Sequence, residues 1–222
     1  MPRVLYKYVL ADHAAAMVKY GRIRVGTLFD FRREEDHGRQ IGDAREGSVV
    51  TTERRDPSLT PAQRGPSPLA DRIFNNVPGY RIANFGAEFS VEEAAGNCFV
   101  YCVSEKLSSA LMKEMGKDSV VRMADASVFV RAVDAAVRRQ HPGLLAVEAQ
   151  SCLYEFRDRD ASQPLIDSIF VKDPVLYGHQ AEFRLCWRGS VGKGEALFVA
   201  SRDIAACCEL VPSDSAPALE NA

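Results

Sequence analysis

Residues 3–31 read Arg-Val-Leu-Tyr-Lys-Tyr-Val-Leu-Ala-Asp-His-Ala-Ala-Ala-Met-Val-Lys-Tyr-Gly-Arg-Ile-Arg-Val-Gly-Thr-Leu-Phe-Asp-Phe. Residues 3–10 alternate as a strand does, with Val4, Tyr6, Tyr8 and Leu10 on one face and Leu5, Lys7 and Val9 on the other. A short helix follows, with Asp12 as its expected N-cap, Ala14, Met17 and Val18 on its apolar side and Gly21 as its stop. Residues 22–31 alternate again as a second strand. The chain therefore opens strand, helix, strand with tight joints.

Beyond this opening the pattern fails. Residues 32–47 are mostly charged, Val49–Thr52 reads as a short strand, and residues 53–84 hold five prolines with few periodic apolar positions. An irregular stretch of that length is a lid, a binding loop or disorder. Periodicity returns with a strand at 97–103, then a helix expected to be capped by Ser104 and stopped by Gly116. Asp125 caps the clearest helix, whose Ala126, Phe129, Val130, Val133 and Val137 follow the i, i+3, i+4, i+7 rule up to His141-Pro142-Gly143. Strands are expected at about 144–157, 168–172, 181–188, 194–200 and 204–211, followed by a frayed tail. The class is α+β, read as one domain over residues 1–211 with an irregular insertion at 53–84 and a flexible tail at 212–222.

The 222 residues carry 28 Lys and Arg against 30 Asp and Glu, which gives no support to a nucleic-acid binder working through one large basic surface. No apolar run reaches the roughly 18–20 residues of a membrane span. The start, Met1-Pro2-Arg3-Val4-Leu5-Tyr6-Lys7-Tyr8, puts Lys and Tyr where a signal peptide has its apolar core, so a cytoplasmic protein is expected. Cys98, Cys102, Cys152, Cys186, Cys207 and Cys208 form no C-x-x-C and the four histidines are scattered, so buried reduced thiols are expected and no metal site is assigned. Gly189-Ser-Val-Gly-Lys-Gly194 lacks phosphate-loop spacing and reads as a hairpin turn.

The most informative segment is Tyr177-Gly-His-Gln-Ala-Glu-Phe-Arg-Leu-Cys-Trp187. On a strand, Ala181, Phe183, Leu185 and Trp187 share one face, while Gln180, Glu182 and Arg184 form a polar row on the other. That row is either the wet side of an antiparallel strand or part of a cleft with Glu182 as its charged member. A cleft carboxylate is seldom a core group, so replacing Glu182 is expected to cost little stability.

Three stretches carry a resemblance: Leu5-Tyr6-Lys7-Tyr8, Tyr101-Cys102-Val103-Ser104-Glu105, and Lys172 with Gln180-Ala181-Glu182-Phe183-Arg184-Leu185. They resemble a large bacterial family of unknown function. The order of elements and the Gln-x-Glu pair also resemble the ADP-ribosyltransferase superfamily, whose split, mainly antiparallel sheet opens strand-helix-strand and presents a catalytic Glu on a late strand. The resemblance implies NAD as co-substrate, Glu182 as the catalytic residue and Gln180 as the group that orients the acceptor. It implies an NAD site drawn from Tyr6, Lys7, Thr27, Phe29 and Arg32. The superfamily usually has His or Arg where this chain has Lys7, and its Ser-Thr-Ser motif has no clear counterpart here. The implied activity is modification of a macromolecular acceptor, protein or nucleic acid, in bacterial conflict or phage defence. A non-catalytic nucleotide- or protein-binding module of the same fold is the alternative. A hydrolase or nuclease using Glu34, Glu35, Asp36 and His37 is a third reading.

Overall fold

The computed structural model describes residues 2–32, 43–56, 58, 67, 69, 88–164, 166–191 and 196–212. The opening has the expected order: β1 (Leu5–Val9), α1 (Ala11–Tyr20) and β2 (Arg22–Thr27). Helix α1 begins one residue before Asp12, which sits in its first turn rather than at its cap. It ends where Gly21 turns left-handed at φ 59° and its N–H reaches the carbonyls of Ala16 and Met17. A Cβ on Gly21 would stand 1.8 Å from the Ser201 carbonyl oxygen, so only glycine fits.

The second strand is shorter than its alternation suggests. Leu28–Phe31 form a one-turn helix, α2, because the Thr27 hydroxyl accepts the Asp30 N–H at 3.1 Å and caps it. There follow β3 (Ser48–Arg54), β4 (Glu88–Ala94) and β5 (Phe99–Ser104). Helix α3 (Ser109–Glu114) is capped by Ser108, not Ser104, which remains in β5. Next come β6 (Ser119–Met123) and α4 (Ala126–Gln140), with Asp125 accepting the N–H groups of Ser127 and Val128 as expected.

The anticipated strand 144–157 is broken into β7 (Glu148–Ser151) and β8 (Leu153–Tyr154), and β9 covers Asp158–Asp160. A 3₁₀ turn at Ser168–Phe170 occupies most of the expected strand 168–172 and leaves only β10 (Val171–Lys172). Helix α5 (Pro174–Tyr177) and a 3₁₀ turn at Gly178–Gln180 lead into β11 (Glu182–Trp187). Strand β12 (Leu197–Ala200) precedes α6 (Arg202–Ala206) and β13 (Cys208–Leu210). The first part of the expected strand 204–211 is thus helical, because Ser201 caps it through the Asp203 N–H. Strands β11 and β12, which flank the expected hairpin turn, do not pair with each other: β11 pairs with β5 and β7, whereas β12 pairs with β2, and part of the turn lies outside the described residues.

The main sheet has eight strands, running β12-β2-β5-β1-β6-β13 with β11 and then β7 added beside β5, and every pairing in it is antiparallel. A three-stranded sheet, β4-β3-β9, and a two-residue parallel pair, β8–β10, complete the α+β architecture. One face of the main sheet buries Leu5, Val25, Tyr101, Leu185 and Trp187 against α1 and the apolar stripe of α4 at Phe129, Val133 and Val137. The pairing of β5 opens the sheet. Its far edge meets β2 only at Phe99–Val100 and β1 only at Ser104, so β1 and β2 diverge around Tyr101–Val103.

Candidate active site

A cavity of about 740 Å³ lies where β1 and β2 part. Its floor comes from the second face of β5 and β11, where Cys102, Ser104, Glu182 and Arg184 project away from the core. Register puts Tyr6, Ser104 and Glu182 in one row across three strands. Lys7 enters from β1, and its ammonium donates to the Cys102 carbonyl at 2.6 Å, satisfying backbone left without a ladder partner by the fork. The same ammonium lies 4.8 Å from the centre of the Tyr101 ring.

Glu182 belongs to a closed ring of four charges. Arg184 Nε donates to Glu182 Oε1 at 2.6 Å, and Arg184 Nη1 donates to Glu46 Oε1 at 2.7 Å. Lys172 Nζ completes the ring, 3.0 Å from Glu46 Oε2 and 3.7 Å from Glu182 Oε2. All four side chains are buried. A buried charge is tolerated only when paired, and here two carboxylates alternate with two cations. Next to the ring, Arg157 grips Asp43 through both Nη atoms at 2.9 and 2.5 Å, anchoring the segment that carries Glu46.

Electrostatics follow from this packing. Burial alone would raise the Glu182 carboxyl, but Arg184 and Lys172 outweigh it and hold it down at about 2. Glu46 is lowered for the same reason, against the same burial. Lys7 is lowered because burial removes water from its ammonium, with Lys117 and Arg24 adding repulsion, although Cys102 and Glu182 act the other way. The Cys102 thiol is pushed up to about 12, first by burial and then by Glu182, and stays protonated.

The residues singled out in the sequence divide into two groups. Glu182, Gln180, Lys7 and Tyr6 all line the cavity. Gln180 arrives there by an unexpected route. It ends a 3₁₀ turn, and Ala181 takes a left-handed φ of 44°, so the strand alternation starts only at Glu182. The Gln180 carbonyl accepts the Ser104 hydroxyl at 2.7 Å. The strand's polar side is not wet either, since all six residues of β11 are buried. Thr27, Phe29 and Arg32 lie off the cavity. Thr27 is spent on capping α2, while Arg32 covers the Phe29 ring and donates to the Glu46 carbonyl. His179 Nε2 lies 3.0 Å from Glu114 Oε1. Glu34, Glu35, Asp36 and His37 lie outside the described residues, as does most of 53–84.

The sequence alone does not single out Glu46, Asp43 or Arg157. The first two lie within a charged run, and no local spacing separates a buried carboxylate there from a solvated one. Arg184 is legible as Glu182's neighbour on one strand face, two residues along. All six cysteines are free thiols, four of them buried, and no group of metal-binding side chains occurs among the described residues. No described helix is long and apolar enough to cross a membrane. No protein-family model, curated protein or solved structure matches this chain.

Proposed function

We propose that the forked cavity is an NAD site and that the chain is an ADP-ribosyltransferase-like enzyme modifying a macromolecular acceptor. The observation that carries this reading is the buried, ionised Glu182 on the cavity floor, with Lys7 of the first strand reaching into the same space. Breaking the nicotinamide–ribose bond passes through an oxocarbenium-like state, as glycosyl transfers do. A fixed carboxylate in a water-poor cleft stabilises that positive charge and accepts a hydrogen bond from the ribose 2′-hydroxyl. Lys7 supplies a cation for a phosphate, and Gln180, which lines the same cavity as Glu182, suits an acceptor-orienting role. The strand-helix-strand opening and the divergence of β1 from β2 support the resemblance to the ADP-ribosyltransferase fold. Bacterial conflict or phage defence is the setting that this resemblance suggests.

One observation favours the non-catalytic alternative, a nucleotide- or protein-binding module. Arg184 already occupies Glu182 Oε1 at 2.6 Å, so the carboxylate is partly committed before any ligand arrives. Proton NMR of nicotinamide release from NAD separates the two, with and without cell lysate as acceptor source. Release by the wild-type chain and at least a 100-fold loss in Glu182→Gln, with both folded by circular dichroism, is the expected result. Release at equal rates in both removes Glu182 as the catalytic group, and no release from either moves the assignment to the binding module.

A further inference from the structure

The mouth of the cavity on the β2–β12 side carries three side chains that the NAD reading leaves without a role, namely Arg22, Arg24 and Phe198. Their placement follows from register. Ile23 and Val25 of β2 and Leu197 and Val199 of β12 turn into the core, so Arg22, Arg24, Phe198 and Ala200 form the opposite row, with Phe198 directly across from Arg24. Phe198 is 62% exposed although it borders a cavity. Its backbone is held on both sides, by the β2 ladder and by Gln140 Nε2, which donates to the Phe198 carbonyl at 3.1 Å. Arg24 is fixed by Asp30, whereas Arg22 has no side-chain partner among the described residues.

A rigidly mounted, solvent-facing aromatic ring beside an unengaged guanidinium matches one ligand chemistry well. The ring offers a flat surface on which a nucleobase stacks, and the guanidinium offers paired donors for the adjoining phosphate. We propose that the β2–β12 ribbon is a nucleobase-and-phosphate subsite, with Phe198 under the base and Arg22 on the phosphate. This rests on the reading of the cavity as a nucleotide site, and it extends that site from Glu182 to the β2–β12 side of the same cavity. Two sources present this chemistry: the adenosine half of the dinucleotide, or a base of a single-stranded nucleic-acid acceptor.

The test uses the full chain and four probes at 50 mM salt. AMP and NAD are titrated by calorimetry, and fluorescein-labelled DNA and RNA dodecamers by anisotropy. Phe198→Ala is expected to weaken binding about 5- to 150-fold, the range that loss of one stacked base produces, while Phe198→Tyr retains it. Arg22→Gln is expected to weaken binding and to make it less dependent on salt. Losses confined to AMP and NAD assign the subsite to the co-substrate, and losses confined to the dodecamers assign it to the acceptor. Unchanged affinity in Phe198→Ala for every probe, or no binding of any probe by the folded wild-type chain, overturns the proposal. Neither side chain makes a contact with Glu182 that the test depends on, so stacking-dependent binding without nicotinamide release overturns the enzymatic reading and leaves this subsite standing.

Discussion

The two faces of β5 and β11 solve the same problem in opposite ways. On one face, Tyr101, Phe183, Leu185 and Trp187 are buried by apolar contact with α1 and α4. On the other, Glu182 and Arg184 are equally buried yet charged, and are tolerated only because Glu46 and Lys172 close the ring around them. The first face is stable at any pH at which the chain folds. The second depends on four ionisation states at once. Ion rings of this kind add little net stability over a well-packed apolar core, but losing one member is expensive. The position of this ring at the floor of a cavity is the physical ground on which we propose function for this face and structure for the other.

The comparison can be broken from either side. On the apolar face, Phe129→Ala should cost about 3–5 kcal/mol in chemical denaturation, with the same loss at pH 7 and at pH 4. On the charged face, Arg184→Met should also cost about 3–5 kcal/mol at pH 7, because Glu46 and Glu182 are left to share Lys172. That deficit should shrink as acid protonates the two carboxylates, and a pH-independent deficit would mean that the ring is not held by charge. Glu182→Gln sharpens the contrast further. It keeps an oxygen for Arg184 and should cost about 1–3 kcal/mol, more than the near-zero cost expected of an open cleft carboxylate.

The sign of its pH dependence follows from the lowered carboxyl. Folding moves Glu182 from its ordinary 4.5 to about 2, so its contribution is complete above pH 4.5 and lost as pH falls through 2. Glu182→Gln should therefore remove part of the acid slope of the wild-type stability curve over that window, as followed by tryptophan fluorescence of Trp187. Among these changes the smallest is expected at Asp125→Ala, which removes the N-cap of α4 without touching either face and should cost about 1 kcal/mol.

What can be read from the sequence divides along the same line. The apolar stripe of α4, its Asp125 cap and the Gly21 stop are legible because each is a local pattern with one physical solution. Helices α2 and α6 read as strand because single hydroxyls, on Thr27 and Ser201, cap turns inside stretches with strand-like alternation. Strand β4 is faint in the sequence, since only Phe89 and Val91 alternate with Glu88, Ser90 and Glu92, and it owes its form to seven paired positions on β3. At the site, Glu182 and Lys7 can be proposed from spacing and resemblance. Glu46 cannot, because it stands 138 residues from the Arg184 it binds and its charge looks like that of its neighbours.

The pairing of β2 with β12 has a consequence for how the chain is made. Val25 meets Leu197, and Gly21 accepts the Ser201 N–H, so the opening motif cannot finish its sheet until Leu197–Ala200 have been made. At translation rates of about 5–20 residues per second, β2 waits roughly 9–34 s on the ribosome with its β12 edge open. Arg22 and Arg24 stand on that edge, and charged side chains are what natural sheets place where a stray strand must be kept away. The two arginines at the mouth of the finished cavity are thus also suited to guard the strand while it waits for its partner.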